Sequence, residues 1–216
     1  MEIVAEHLAR RYGMRWALAD VSFTVASGET VMVAGRNGSG KSTLFRLLST
    51  AIHADAGRAS IGGLDLVRDR DRIRRVVALL SHYSYLYESL TARENLEIVA
   101  RFLGVSDIGP ALERVGLSTR AGDVVQTFSA GMRKRLSIAR VLLQRPQVVM
   151  LDEPYGALDP EGFALVDELV REWKREGATV LMATHQVEHV VAMADRSIII
   201  EEGRIASQPL RESAPC

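Results

Sequence analysis

One loop constrains this chain more than any other stretch: Gly35-Arg36-Asn37-Gly38-Ser39-Gly40-Lys41-Ser42-Thr43. It follows the apolar run Val31-Met32-Val33-Ala34 and precedes Leu44-Phe45-Arg46-Leu47-Leu48. The order is that of a strand, a glycine-rich turn and a helix with apolar residues at helical spacing. Glycines let the backbone turn its N–H groups toward an anion, and the following helix adds the positive end of its dipole. Lys41 can reach β- and γ-phosphates, and the Ser42 hydroxyl can ligate Mg²⁺. The full pattern in this context predicts a site for a nucleoside triphosphate.

The bulk composition narrows the setting. A chain of 216 residues fits one large domain or two small ones, and its 47% hydrophobic and 25% charged residues are those of a soluble globular protein. A formal net charge of zero argues against a surface that binds nucleic acid as a whole. The single cysteine, Cys216, allows no disulfide within the chain, and this suits the cytosol. No apolar run approaches the ~20 residues of a membrane span, and Met1 is followed by Glu2 rather than a basic leader. The expectation is a soluble protein whose membrane role, if it has one, comes through a partner.

Residues 1–34 read as strands, with β-formers at Ile3-Val4-Ala5 and Val21-Ser22-Phe23-Thr24-Val25. A short strand is expected through Ile61, and residues 65–75 read as a solvated segment of alternating charge sign. Val76–Leu80 has the continuous apolarity of a buried strand. From there the character changes. Thr91-Ala92-Arg93-Glu94 is a capping-box pattern opening a helix through Phe102, glycines then separate short helical pieces, and a longer helix is expected from Ala130 to Gln144. The strand Val148–Leu151 resumes an α/β core. A helix near 161–176, the strand Thr179–Ala183, another helix and Ile198–Ile200 follow.

Asp152 and Glu153 end the strand Val148–Leu151, at the edge where an open α/β sheet places its ligand chemistry. Asp152 can hold Mg²⁺, and Glu153 can polarise a water in line with the γ-phosphate. Phe128-Ser129-Ala130-Gly131-Met132 places a small, flexible turn at a helix start, and Arg133-Lys134-Arg135 follow in its first turn. Cations there oppose the helix dipole, a conflict that a docked anion relieves and that a plain surface helix simply tolerates.

Gly35 to Thr43, Ser129-Ala130-Gly131, Leu151-Asp152-Glu153-Pro154, Ala157-Leu158-Asp159 and Thr184-His185 occur in one order across nearly the whole chain. Together they resemble the nucleotide-binding domain of ABC-type ATPases. The resemblance implies a single domain over 1–216: a P-loop α/β core with an antiparallel β-subdomain and a helical subdomain inserted over 82–144. It implies ATP and Mg²⁺ as ligands and a homodimer on the cytoplasmic face of the cell membrane, powering an integral membrane subunit, with no nucleic acid. Lys41, Glu153 and His185 are then the catalytic set, with His185 the switch on the γ-phosphate. Ser129 and Gly131 form a signature loop that touches ATP held by a second copy. Asp159 links the two sites, and Tyr12, before Gly13, stacks on adenine or is a plain tyrosine.

Two departures stand out. Phe128-Ser129-Ala130-Gly131-Met132 replaces the usual Leu-Ser-Gly-Gly-Gln, and Ser81-His82-Tyr83 stands where the family has a glutamine. His82 either substitutes for that glutamine or is a structural histidine. His189, four residues after His185, reads as a solvated helix residue, and Tyr83, Tyr85, Leu86 and Tyr87 either line a partner groove or pack beneath the helices. Within the family, the lean length, the His82-Tyr83 loop, the run Leu86–Leu96 and the Ser129-Ala130-Gly131-Met132 signature look like the haem-exporter subunits of bacterial cytochrome c maturation. Another small exporter, for lipid, drug or polysaccharide, and a soluble ATPase of iron–sulfur assembly remain the alternatives.

Overall fold

Alternating apolar residues at the start of the chain pair into an antiparallel arm. In the computed structural model, which describes residues 1–207 apart from the side chains of Val187, Glu188 and Ser207, β1 (Ile3–Tyr12) and β2 (Arg15–Val25) form a long hairpin. The expectation for Cys216 lies outside the described residues. β3 (Thr30–Ala34) then leads through the glycine-rich loop into α1 (Lys41–Leu48). β4 (Ala56–Ile61) and the short β5 (Leu64–Asp65) complete the arm against β1.

α2 (Arg70–Val76) and β6 (Val77–Leu80) follow. The segment expected to be merely solvated does more than that. Arg70 donates from Nε and Nη2 to the Thr50 carbonyl at 3.2 and 2.8 Å, and Arg74 Nε donates to Thr50 Oγ1 at 3.0 Å. Alternating charge predicted exposure; it could not show that two of these guanidiniums hold the turn after α1.

Between β6 and the next strand the chain is helical, with α3 (Ala92–Leu103), α4 (Gly109–Arg114), 3-10 turns at Ser118–Arg120 and Val125–Thr127, and α5 (Ala130–Gln144). The capping box forms in full: Thr91 Oγ1 accepts from the Glu94 amide at 3.1 Å, and Glu94 Oε2 accepts from the Thr91 amide at 2.7 Å. Buried Asn95 closes the preceding loop by accepting from the Tyr87 amide and donating to the Tyr87 and Thr91 carbonyls.

β7 (Val148–Asp152), α6 (Pro160–Arg175), β8 (Thr179–Ala183), α7 (Val187–Val191), β9 (Arg196–Glu201) and β10 (Arg204–Ser207) finish the described chain. The described strands form one sheet in the order β5-β4-β1-β2-β10-β9-β3-β8-β7-β6. β9, β3, β8, β7 and β6 run parallel, and β10 joins them to the arm, parallel to β2 and antiparallel to β9.

The parallel strands are apolar on both faces because helices cover both. One core lies between the arm, the sheet and α1, around Phe45, Leu48, Val33 and Leu181; the other lies under α3, α5 and α6, around Leu96, Leu136, Val149 and Leu169. Among the described residues no helix is long and apolar enough to cross a membrane. This layering leaves the carboxyl ends of β3, β7 and β8 at one edge, where the loops carrying Lys41, Glu153 and His185 leave the sheet.

Candidate functional site

The loop after β3 can turn so tightly only because of its glycines. Gly35 has φ +144°, and a Cβ there would lie 2.2 Å from the Ile200 carbonyl oxygen; at Gly40, φ +118°, it would lie 2.4 Å from the Ala17 oxygen. Gly40 is also the N-cap of α1, which has no side-chain cap and no acidic residue in its first turn. The first N–H groups of α1 thus face outward without an internal acceptor from a capping side chain.

Lys41, only 8% exposed, donates from Nζ to the carbonyls of Gly35 at 2.7 Å and Arg36 at 3.0 Å. Burial lowers its pKa, while Glu153 and Asp152 pull the other way. Ser39 is buried, and its Oγ has no hydrogen-bond partner among the described residues. The Ser39 carbonyl accepts from the Gly203 amide at 3.0 Å, so the turn between β9 and β10 props the loop from below.

Opposite the loop stands the end of β7. Burial raises the Asp152 pKa, and a hydrogen bond from Ser42 partly offsets this. Glu153 adopts φ +49°, and its Oε2 accepts from Thr184 Oγ1 at 3.2 Å and from the His185 amide at 3.3 Å. His185 Nε2 lies 3.4 Å from Glu153 Oε1.

These groups converge on a cavity of about 700 Å³ lined by Tyr12, Arg15, Asn37, Gly38, Gly40, Lys41, Ser42, Thr43, His82, Asp152, Glu153 and His185, with Ala17 and Gly156. Its size suits a nucleotide. The uncapped helix start and the buried lysine fit a polyphosphate, and the Ser42–Asp152 pair offers the hard oxygen donors that Mg²⁺ prefers. Tyr12, 44% exposed, stands at the rim with the Arg10 guanidinium 5.1 Å from its ring centroid.

Of the predicted residues, Gly35 and Ser39 belong to the loop without lining the cavity, and Ser129, Gly131 and Asp159 also lie outside its lining. Ser129 caps α5, its Oγ accepting from the Met132 amide at 3.2 Å, and a Cβ on Gly131 would lie 2.9 Å from the Ala157 oxygen. Asp159 caps α6 by accepting from the Gly162 amide at 2.8 Å, and its other contact is Arg135 Nη2 at 2.7 Å. Both bonds lower its pKa, the Gly162 amide most.

Three placements escaped the sequence. Arg15 sits directly across the hairpin from Tyr12, and the two-residue Gly13-Met14 turn was the available signal. Lys134, read as a cation on the start of a helix, is 9% exposed; burial pushes its pKa down to about 8, opposed by Asp152 and Glu153. His189 is exposed on α7, as expected, but its ring also packs 5.4 Å from Tyr155 and 5.5 Å from Phe163.

Comparison with known proteins agrees with this geometry. The model of the ABC transporter family matches residues 18–156. The chain is 38% identical over 212 residues to a daunorubicin resistance ATP-binding protein of Streptomyces coeruleorubidus, covering 95% of this chain and 67% of that one. It is 31% identical to a linearmycin resistance ATP-binding protein of Bacillus subtilis, covering 93% and 67%. It thus spans about two thirds of the length of these relatives. A solved ATP-binding subunit of an ABC transporter superposes with a TM-score of 0.90 at 29% identity, covering 98% of this chain and 90% of that one. The chain belongs to the ABC transporter family and is an ATPase of that family.

Proposed function

We propose that this chain hydrolyses Mg·ATP as the motor subunit of an ABC exporter, working as a dimer on the cytoplasmic face of a membrane partner. The observation that carries the reading is the convergence of Lys41, Glu153 and His185 on one cavity. Gly35, Asn37, Gly38, Ser39, Gly40 and Thr43 cradle the phosphates with backbone and hydroxyl donors, Lys41 neutralises the β- and γ-phosphates, and Tyr12 stacks on the base. A magnesium ion on Ser42 and Asp152 would draw charge from the phosphate oxygens. Glu153 orients the attacking water and accepts its proton, and His185 donates to the γ-phosphate.

Ser129 and Gly131 lie outside the cavity of their own chain, and this supports a second copy supplying them across the dimer, with Asp159 between the two sites. In this reading residues 82–144 form a helical subdomain that carries Ser129 to the partner's nucleotide and transmits its movement to the membrane subunit. His82 lines the cavity near Asp152, which supports it in the place of the missing glutamine.

For cargo, relatives named for daunorubicin and linearmycin resistance support a drug-like small molecule. Haem export is the second reading, favoured by the His82-Tyr83 loop, the run Leu86–Leu96 and the Ser129–Met132 signature. Purifying the chain with its membrane partner and measuring ATPase stimulation by daunorubicin against haem separates the two. The catalytic reading has its own test. Glu153→Gln is expected to lower turnover by roughly 10²–10⁴-fold while ATP still binds and a dimer accumulates on size exclusion; unchanged turnover removes Glu153 from the role of base.

A further inference from the structure

The carboxylate at the centre of the site sits on a backbone that its own residue type disfavours. Glu153 has φ +49° and Ala157 has φ +65°, two left-handed non-glycine residues within one short turn. Such a conformation persists only where surrounding contacts over-determine it. From the cavity side, Thr184 Oγ1 and the His185 amide hold the Glu153 carboxylate. Backbone bonds fix the rest of the turn: the Glu153 amide donates to Ala183 at 2.8 Å, Gly156 to Glu153 at 3.2 Å and Leu158 to Tyr155 at 3.2 Å.

On the far side of the turn, Tyr155 reaches both α6 and α7. Tyr155 is 2% exposed and does not line the cavity. Its ring lies 5.0 Å from Phe163 of α6 and 5.4 Å from His189 of α7, and Phe163 and His189 meet edge to face at 5.5 Å. Its Oη donates to Asp167 Oδ1 at 2.7 Å, one turn beyond Phe163 on α6. Asp167 Oδ2 lies 3.7 Å from His189 Nδ1. Burial and the Asp167 carboxylate raise the phenol far above its ordinary value, so it remains a donor. Tyr155 follows Glu153 by two residues, and His189 follows His185 by four. The same contact therefore ties the Glu153 turn and the segment bearing His185 to α6.

We infer that Tyr155 is a positioning residue for hydrolysis, a peg that locks the strained Glu153 turn against α6 and α7 and so sets Glu153 and His185 in register. A phenylalanine fills the same space but removes the 2.7 Å donor from Asp167 Oδ1, leaving that carboxylate the longer contacts of Oδ2 with His189 Nδ1 at 3.7 Å and Arg171 Nη2 at 3.9 Å, so the hydroxyl is what makes the lock directional. The inference rests on the reading of Glu153 as base.

The test measures turnover and KM for ATP in the full chain, with single-turnover assays for the slow variants. Tyr155→Phe is expected to lower kcat roughly tenfold with KM unchanged, the scale of effect that slight misplacement of a reacting group produces. Asp167→Leu should reproduce that loss, the two together should be no worse than either, and Asp167→Asn, which keeps an acceptor, should restore most of it. In the Glu153→Gln background, Tyr155→Phe should change the residual rate by less than about twofold, since the group it positions is gone. The inference is overturned by unchanged kcat in Tyr155→Phe while Glu153→Gln is inactive, by an equal proportional loss in both backgrounds, or by a change confined to KM. Full turnover in Glu153→Gln itself removes the base reading, and the inference with it.

Discussion

Two helix starts in this molecule have the shape of an anion site, and they are furnished differently. At α1 the N-cap is a glycine with no capping side chain, and a buried lysine and two carboxylates surround the mouth of the cavity. At α5 the N-cap is Ser129, whose own hydroxyl accepts from Met132, and no residue of that turn reaches the cavity. The first has the groups proposed to bind and activate a phosphate. The second has donors and no chemistry. On the proposed reading, binding and completion of the site are separate properties, carried by turns that do not meet in one cavity of this chain.

The comparison breaks most sharply at Lys41. Lys41→Ala should lower turnover by on the order of 10²–10³-fold and weaken ATP binding as well, since it removes a cation aimed at the phosphates. An equilibrium binding assay with the isolated chain checks this. Ser129→Arg should instead spare ATP binding by the isolated chain and lower turnover by roughly 10²-fold, by placing a bulky cation where a partner's nucleotide must dock. A mixture of these two inactive variants should recover turnover, because one of the two sites in the mixed dimer has both halves intact. No recovery at any mixing ratio would count against composite sites.

The smallest expected effect concerns Lys134, on the α5 side. Its folded-state pKa of about 8 lies below the ordinary 10.5, so the protonated form is penalised in the fold. That penalty is complete below about pH 8 and fades as pH rises toward 10.5, so the wild-type chain gains stability across this window. Lys134→Met should therefore melt a few degrees higher at pH 7, corresponding to on the order of 1–3 kcal/mol, and the gap should close by about pH 10. Melting curves at both pH values decide it.

What the sequence made legible was local. α5 begins and ends where its caps and periodicity put it, and the capping box at Thr91 forms as drawn. The loop after β3 was readable because its chemistry is written in consecutive residues. What escaped depended on partners distant in the chain. β10 is four residues without alternation, and it exists because β2 and β9 flank it. Lys134 looked like a surface cation because helix position alone does not show what lies beneath it. Tyr155 carried no signal of its own in the sequence and His189 read as a solvated helix residue; the contact between them appears only when α6 and α7 lie side by side.

The prop beneath the phosphate loop has a consequence for biosynthesis. The cavity takes Tyr12 from the first strand, and its loop rests on Gly203, in the turn before the last described strand. On the ribosome, a chain that has already exposed the whole glycine-rich sequence still lacks the support beneath it. The geometry described for the cavity therefore draws on both ends of the described chain, and it can be complete only after almost all of that chain has emerged.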